Sequence, residues 1–362
     1  MHIWDFLCNF APKMRRNRVF VILFLCTMTA FACAEQKTDS LPRHGWFTYV
    51  PYGRSLLSDV HPYDIRGDLI GHTNRAVIDF AQTDKPLRAS LLGCFGVTIP
   101  IWQGNYGENK QFGISITEMT YALLWLDIFE PITAPVVNTD FRVGVAGPTF
   151  IHRLNKKFVK NYSITWSPFI HESTHMGDEL QIQRMEMDYA IRRVNVSYNW
   201  TELTFTLNEP VDRTSSCHTF RAGVMLLWNW KEGWYSIKEA AGDGNPDLAH
   251  QKLSPWEAYF QYEYQSPATK HGFQGVASAE IRNRVVYGYD LFLKNGQPDT
   301  ARSDYRRFTY NTFVGMRFNV PNYEGFFSRI SLGLRFYYGN CPYGQYRSID
   351  NFMMFGISSI YQ

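Results

Sequence analysis

The chain has 362 residues, 16% of them aromatic and 19% charged. Its mean hydropathy of -0.28 excludes a bundle of membrane helices, each of which needs about 20 consecutive apolar residues. The formal charge of +3 resides in residues 1–34, where Lys13, Arg15, Arg16 and Arg18 face only Asp5. The remainder is neutral and holds no basic run or motif, which sets nucleic acid aside as a partner.

The first predicted element is a leader. Val19 to Ala32 is apolar, follows the basic cluster, and runs into Ala30-Phe31-Ala32 and Ala32-Cys33-Ala34. A basic head, a short apolar middle and a small-x-small exit describe a secretory signal peptide cleaved after Ala34. The alternatives are a retained anchor and a lipoprotein acylated at Cys33, and Met14 is an alternative start. Residues 35–86 read as a periplasmic lead-in with Pro42, Pro51 and Pro62, a strand at Trp46 to Val50, and room for a short helix.

From Leu87 onward strand follows strand. Leu87 to Trp102, Gly113 to Phe129, Asn138 to Ala146, Tyr162 to His175 and Met187 to Trp200 come first. Leu203 to Leu207, Phe220 to Trp230, Trp256 to Tyr264, Phe273 to Arg282 and Val285 to Leu293 follow, and Asn351 to Tyr361 closes the series. The clearest pair is Phe308 to Val320 and Phe326 to Tyr338. In the first, Phe308, Tyr310, Val314, Met316 and Phe318 share one parity, opposite Thr309, Asn311, Gly315 and Arg317, with Phe313 as the exception. Successive side chains of a strand point to opposite faces, so one face is greasy and the other polar. A soluble β-sandwich also alternates, but its inner face would be apolar, whereas here the smaller side includes Arg317, Arg329 and Arg335. The predicted fold is an all-β antiparallel transmembrane β-barrel of about 12 strands, since such barrels use even numbers. The 22 Tyr, 27 Phe and 10 Trp suit its interfacial girdles. Cys94, Cys217 and Cys341 lack metal or redox spacing and read as free thiols.

One stretch clusters reactive groups, His171-Glu172-Ser173-Thr174-His175-Met176-Gly177-Asp178-Glu179. His171-Glu172-x-x-His175 matches a zinc hydrolase motif, which works only on a helix where both imidazoles reach one metal. On a strand, His171, Ser173 and His175 instead share a face, placing an imidazole beside a hydroxyl as nucleophilic catalysis requires. In that reading Ser173 is the nucleophile, His171 the base, Glu186 or Asp188 the orienting group, and Asp178 and Glu179, with His175 nearby, a site for calcium. Parity from Ile164 and Trp166 turns His171 and Ser173 inward; a bulge at Ser167-Pro168 would turn them outward. A third reading makes these residues a polar network on the lumen wall.

The His171-x-Ser173 pair resembles the site of outer-membrane phospholipase A and of outer-membrane lipid A deacylases, whose orienting Asn or Glu lies on the next strand. Asp140-Phe141-Arg142-Val143-Gly144, Ser173 to Glu179, and Tyr337-Tyr338-Gly339 through Tyr346 resemble an uncharacterised bacterial domain-of-unknown-function family. That resemblance implies a secreted outer-membrane barrel in contact with outer-membrane lipid. The terminal strand, ending Tyr361-Gln362, resembles the signal read by barrel-insertion machinery. A channel or structural envelope protein is the leading expectation and a lipid acyl hydrolase the alternative. An outward His171 and Ser173 with an amide or carboxylate in hydrogen-bond reach favours the hydrolase.

Overall fold

The computed structural model describes residues 45–46, 56–60, 64–72, 88–105, 110–124, 136–154, 156–176, 192–209, 215–236, 256–286, 293–294, 297–298, 305–318, 330–343 and 352–361. The leader therefore lies outside the described residues, as do Asp178, Glu179, Glu186 and Asp188.

Twelve strands close a ring: β1 (Ile65–His72), β2 (Arg88–Asn105), β3 (Lys110–Leu124), β4 (Val136–Arg153), β5 (Asn161–Met176), β6 (Arg192–Leu207), β7 (Cys217–Ser236), β8 (Trp256–Gln265), β9 (Phe273–Val286), β10 (Tyr305–Phe318), β11 (Ile330–Gly339) and β12 (Phe352–Tyr361). Each pairs antiparallel with the next, and β12 returns to β1 through Ile65 opposite Tyr361 and Met354 opposite His72. Gly45–Trp46 pairs with the end of β2, and 293–294 pairs with 297–298. The connections 106–109, 154–160 and 266–272 are shorter than 73–87, 177–191, 237–255 and 287–304 at the opposite end. Short turns mark the periplasmic end of such barrels.

The expected count of about 12 is met, by different boundaries. Leu203 to Leu207 continues Met187 to Trp200 across a continuous β6, and Phe273 to Arg282 joins Val285 in β9. The ring also begins earlier than Leu87. Ile65–His72, within the stretch read as lead-in, is a full barrel strand with Arg66 and Asp68 buried inward and Leu69 exposed outward.

The faces sort by polarity as a membrane requires. Arg66, Asp68, Arg142, Glu263, Glu280, Arg282, Arg317 and Arg335 are buried, while Phe205, Leu226, Phe260, Val314, Leu334, Phe355 and Ile357 are exposed. An apolar surface ringing the whole barrel would be far larger than a soluble monomer exposes, and hydrocarbon is the solvent that accepts it. This is a transmembrane barrel of the outer-membrane type.

The lumen is held by ion pairs and by the chain itself. Arg335 reaches Asp68 at 2.5 Å and Asn311 at 3.1 Å. Arg317 joins Glu263 at 3.3 Å and Gln265 at 3.0 Å. Arg282 pairs with Glu280 at 2.8 Å and covers the Tyr259 ring at 4.4 Å. Into this lining runs Leu56 to Val60. The Leu57 amide donates to Glu263 Oε2 at 2.8 Å, the Ser58 amide to Ser278 Oγ at 3.1 Å, and Asn311 donates to the Ser58 carbonyl at 2.5 Å. Leu57 inserts among Val276, Phe313 and Ile360, and is itself 0% exposed. Phe313, the parity exception, is thus the wall of an apolar seat inside a polar lumen. Its ring fits because Gly333 faces it; a Cβ there would stand 2.7 Å from Phe313 Cζ. Cys94, Cys217 and Cys341 are buried thiols outside any disulfide.

Candidate functional site

Strand β5 changes faces midway. In its first half Ser163 and Ser167 are buried inward while Ile164 and Trp166 are exposed outward. Pairing with β6 then shifts between Ser167 and Ile170. Pro168 sits in this bulge, where its missing N–H costs no ladder bond, and its carbonyl accepts from Thr201 Oγ1 at 2.9 Å. Beyond it the parity is inverted: Ile170 and Glu172 are buried inward, and His171 and Ser173 face outward. Parity without the bulge puts both in the lumen; the bulge overturns that.

Glu172 anchors the inverted register from inside. Arg142, opposite it on β4, donates through Nη2 at 2.6 Å and Nε at 3.1 Å. The guanidinium lies 5.2 Å from the Trp200 ring centroid, and Trp200 Nε1 donates to Glu202 at 3.2 Å. A charge pair this deep is costly to break, because either partner alone would be an uncompensated buried charge. Slipping β5 by one residue would do that.

On the outer face, His171 Nδ1 lies 2.8 Å from Asn199 Oδ1, its cross-strand partner on β6. The amide oxygen only accepts, so Nδ1 is the donor in this contact and Nε2 points elsewhere. Ser173 is two residues on along the same face, about 7 Å by strand rise. Among the described residues no hydrogen bond joins its hydroxyl to the ring; such contacts are often looser before substrate binds. Phe141 stands opposite Ser173 and Val143 opposite His171, and Val143 and Phe169 are exposed to lipid. Ser173 lies about 10 Å from the end of β5 at Met176, toward the long-loop end.

The other predicted residues fare differently. The zinc reading is corrected: 161–176 is strand, not helix, and Glu172 points away from His171 into its ion pair with Arg142. His175 lies on β5 and its side chain is outside the described set, as are Asp178 and Glu179, the remaining calcium candidates. Among the described residues no group of three His, Cys, Asp or Glu side chains is placed to hold a metal. Glu186 and Asp188 are likewise outside, and the side chain within hydrogen-bond reach of His171 is Asn199. Simple parity along β6 places Asn199 inward and Trp200 outward, whereas Trp200 is buried in the lumen. The register shift with β7 between Ser197 and Asn199 separates this residue from the pattern before it. The usable signal was Leu203 and Phe205, whose lipid-facing parity Asn199 shares.

Fold and site together define a membrane-spanning β-barrel that carries a polar His–Asn–Ser group on its hydrocarbon-facing wall. No protein-family model and no curated protein matches the chain. Among solved structures, outer membrane phospholipase A from Escherichia coli is similar at a TM-score of 0.40 and 13% identity, over 83% of this chain and 94% of that one. The translocator domain of autotransporter NalP from Neisseria meningitidis gives 0.34 and 11%, over 82% and 86%. The outer membrane protein OprD from Pseudomonas aeruginosa gives 0.23 and 9%, over 82% and 91%. Likenesses this distant leave the chemistry to be argued from the residues.

Proposed function

We propose that the barrel is an outer-membrane lipid acyl hydrolase, with Ser173 as nucleophile, His171 as general base and Asn199 as the residue that orients the imidazole. The observation that carries this is the 2.8 Å contact between His171 Nδ1 and Asn199 Oδ1 on a face otherwise given to lipid. Polar side chains on a lipid-facing wall are costly, and a purely structural role gives no reason to set His171 and Ser173 there beside a covered Asn199. An ester carbonyl of phospholipid or lipid A reaches this face by lateral diffusion. Ser173 Oγ attacks it as His171 Nε2 takes the hydroxyl proton; the imidazolium then protonates the departing lysolipid, and water repeats the sequence to free the fatty acid. Asn199 fixes the tautomer and stabilises the charged ring without itself gaining a proton. Calcium, if held by Asp178 and Glu179, would polarise the carbonyl.

The channel reading keeps less support, because Leu56 to Val60 occupy lumen space that solute would need. The test is fatty-acid release from phospholipid and from lipid A by the refolded protein, with and without chelator. Ser173→Ala should reduce release to background. Asn199→Ala removes one charge-assisted hydrogen bond, worth ~1.5–3 kcal/mol, and should slow turnover about 10- to 150-fold. Equal background release by the unmodified protein and Ser173→Ala on both lipids would end the proposal.

A further inference from the structure

The periplasmic end carries a second feature that the hydrolase reading does not use. Between β4 and β5 the chain turns through Leu154 to Lys160, closed by the Leu154 amide on the Lys160 carbonyl at 2.8 Å and the Lys156 amide on the Val159 carbonyl at 3.2 Å. The next turn clamps it. Asn208, at a φ of 56° that asparagine tolerates better than most residues, accepts from the Lys160 amide at 2.8 Å and donates to the Phe158 carbonyl at 3.0 Å. Asn161 ties the same two turns again, donating to the Glu209 carbonyl and accepting from the Glu209 amide, each at 2.9 Å. So held, the turn presents Phe158 at 80% exposure, with Lys157 Nζ 5.5 Å from its ring centroid.

Among the described residues, the exposed charge at this end has one sign. Among the described residues the exposed charged side chains here, histidines aside, are Lys110, Lys156, Lys157, Lys160 and Lys270, and no acidic side chain is exposed. The nearby carboxylate, Glu209, is buried against Arg221 at 3.0 Å. Just inside the turn lie Tyr162 and His152, in contact at 3.1 Å and facing lipid, with Phe205 beside Tyr162. Aromatic side chains with polar tips mark the depth of the headgroups. The turn therefore meets the leaflet's phosphate layer, with an apolar side chain to insert and cations around it.

We infer that the Leu154 to Lys160 turn is a docking site for anionic phospholipid of the periplasmic leaflet, Phe158 entering beneath the headgroup while Lys156, Lys157 and Lys160 engage its phosphate. The rigid clamp matters, since a preordered turn loses little freedom on binding. Each lysine near an anionic surface contributes about fivefold in lipid occupancy.

The experiment uses the full refolded barrel, delipidated in neutral detergent and titrated with phosphatidylglycerol or phosphatidylcholine, bound lipid being counted by native mass spectrometry. Phosphatidylglycerol should be retained at least about fivefold over phosphatidylcholine, and the K156Q/K157Q/K160Q variant should lose that preference while migrating as a folded barrel. Phe158→Ser should weaken retention of both lipids. An unchanged preference in the triple variant overturns the site. So does displacement by an equal concentration of glycerol 3-phosphate, which would make the turn a plain phosphate site. The titration is run in the Ser173→Ala background, where the lipid stays uncleaved, so its outcome is independent of the hydrolase.

Discussion

Leu57→Ala isolates what keeps the N-terminal segment inside the lumen. Ordering residues 56–60 costs ~1–2 kcal/mol apiece in backbone entropy. A handful of hydrogen bonds to Glu263, Ser278 and Asn311 returns ~0.5–3 kcal/mol each. Those two sums are comparable, so the burial of Leu57 among Val276, Phe313 and Ile360 decides the balance. Truncation to alanine removes three carbon groups at ~0.8 kcal/mol each, or ~2.4 kcal/mol, before any cavity penalty. Opening of the segment should then be about 50-fold more frequent. Hydrogen exchange read by mass spectrometry reports it directly, because the Leu57 and Ser58 amides donate inside the lumen. A peptide covering 56–60 should exchange about 50-fold faster while one covering β10 is unchanged. Unaltered exchange would refute the seat, and parallel acceleration in β10 would show that the segment is inseparable from the wall.

Glu172→Ala should destabilise the barrel by ~3–5 kcal/mol by stranding Arg142, seen as a lower urea midpoint. The double variant Arg142→Met, Glu172→Met should recover most of that loss, and equal midpoints for single and double would refute the argument. Gly333→Ala places a Cβ 2.4 Å from the Val314 carbonyl oxygen and 2.7 Å from Gly315 Cα; these are backbone atoms that cannot step aside. A cost of ~1–3 kcal/mol follows. Gly67→Ala, where nothing lies within 4 Å, should be close to neutral in the same urea titration.

The barrel was legible where alternation is most regular, as in β10 and β11, because a lipid-facing wall imposes period two on every residue it exposes. It was illegible where register slips. His171 and Ser173 were found by residue type, but their side of the wall depended on a bulge whose presence no local propensity dictates. Asn199 was hidden by the second slip, between Ser197 and Asn199. β1 escaped notice because Leu69 and Ile70 are adjacent apolar residues on opposite faces, and Gly67 and Gly71 carry no side chain to show a parity. Phe313 was read as an exception to the pattern; it was evidence of something apolar inside the lumen. The lysine turn had no motif at all, since its meaning comes from an asparagine on a neighbouring hairpin.

Joining the outermost ribs to each other, Ile65–His72 to Met354–Tyr361, has a consequence for biogenesis. Every other pairing around the ring is with a sequence neighbour, but this weld joins strands nearly 300 residues apart, the slowest kind of contact to form. A nascent product lacking its final rib would be an open sheet with two raw rims, sticky and unable to retain an aqueous interior. Sealing of the cylinder thus waits on both of these ribs, so a copy missing either one stays open.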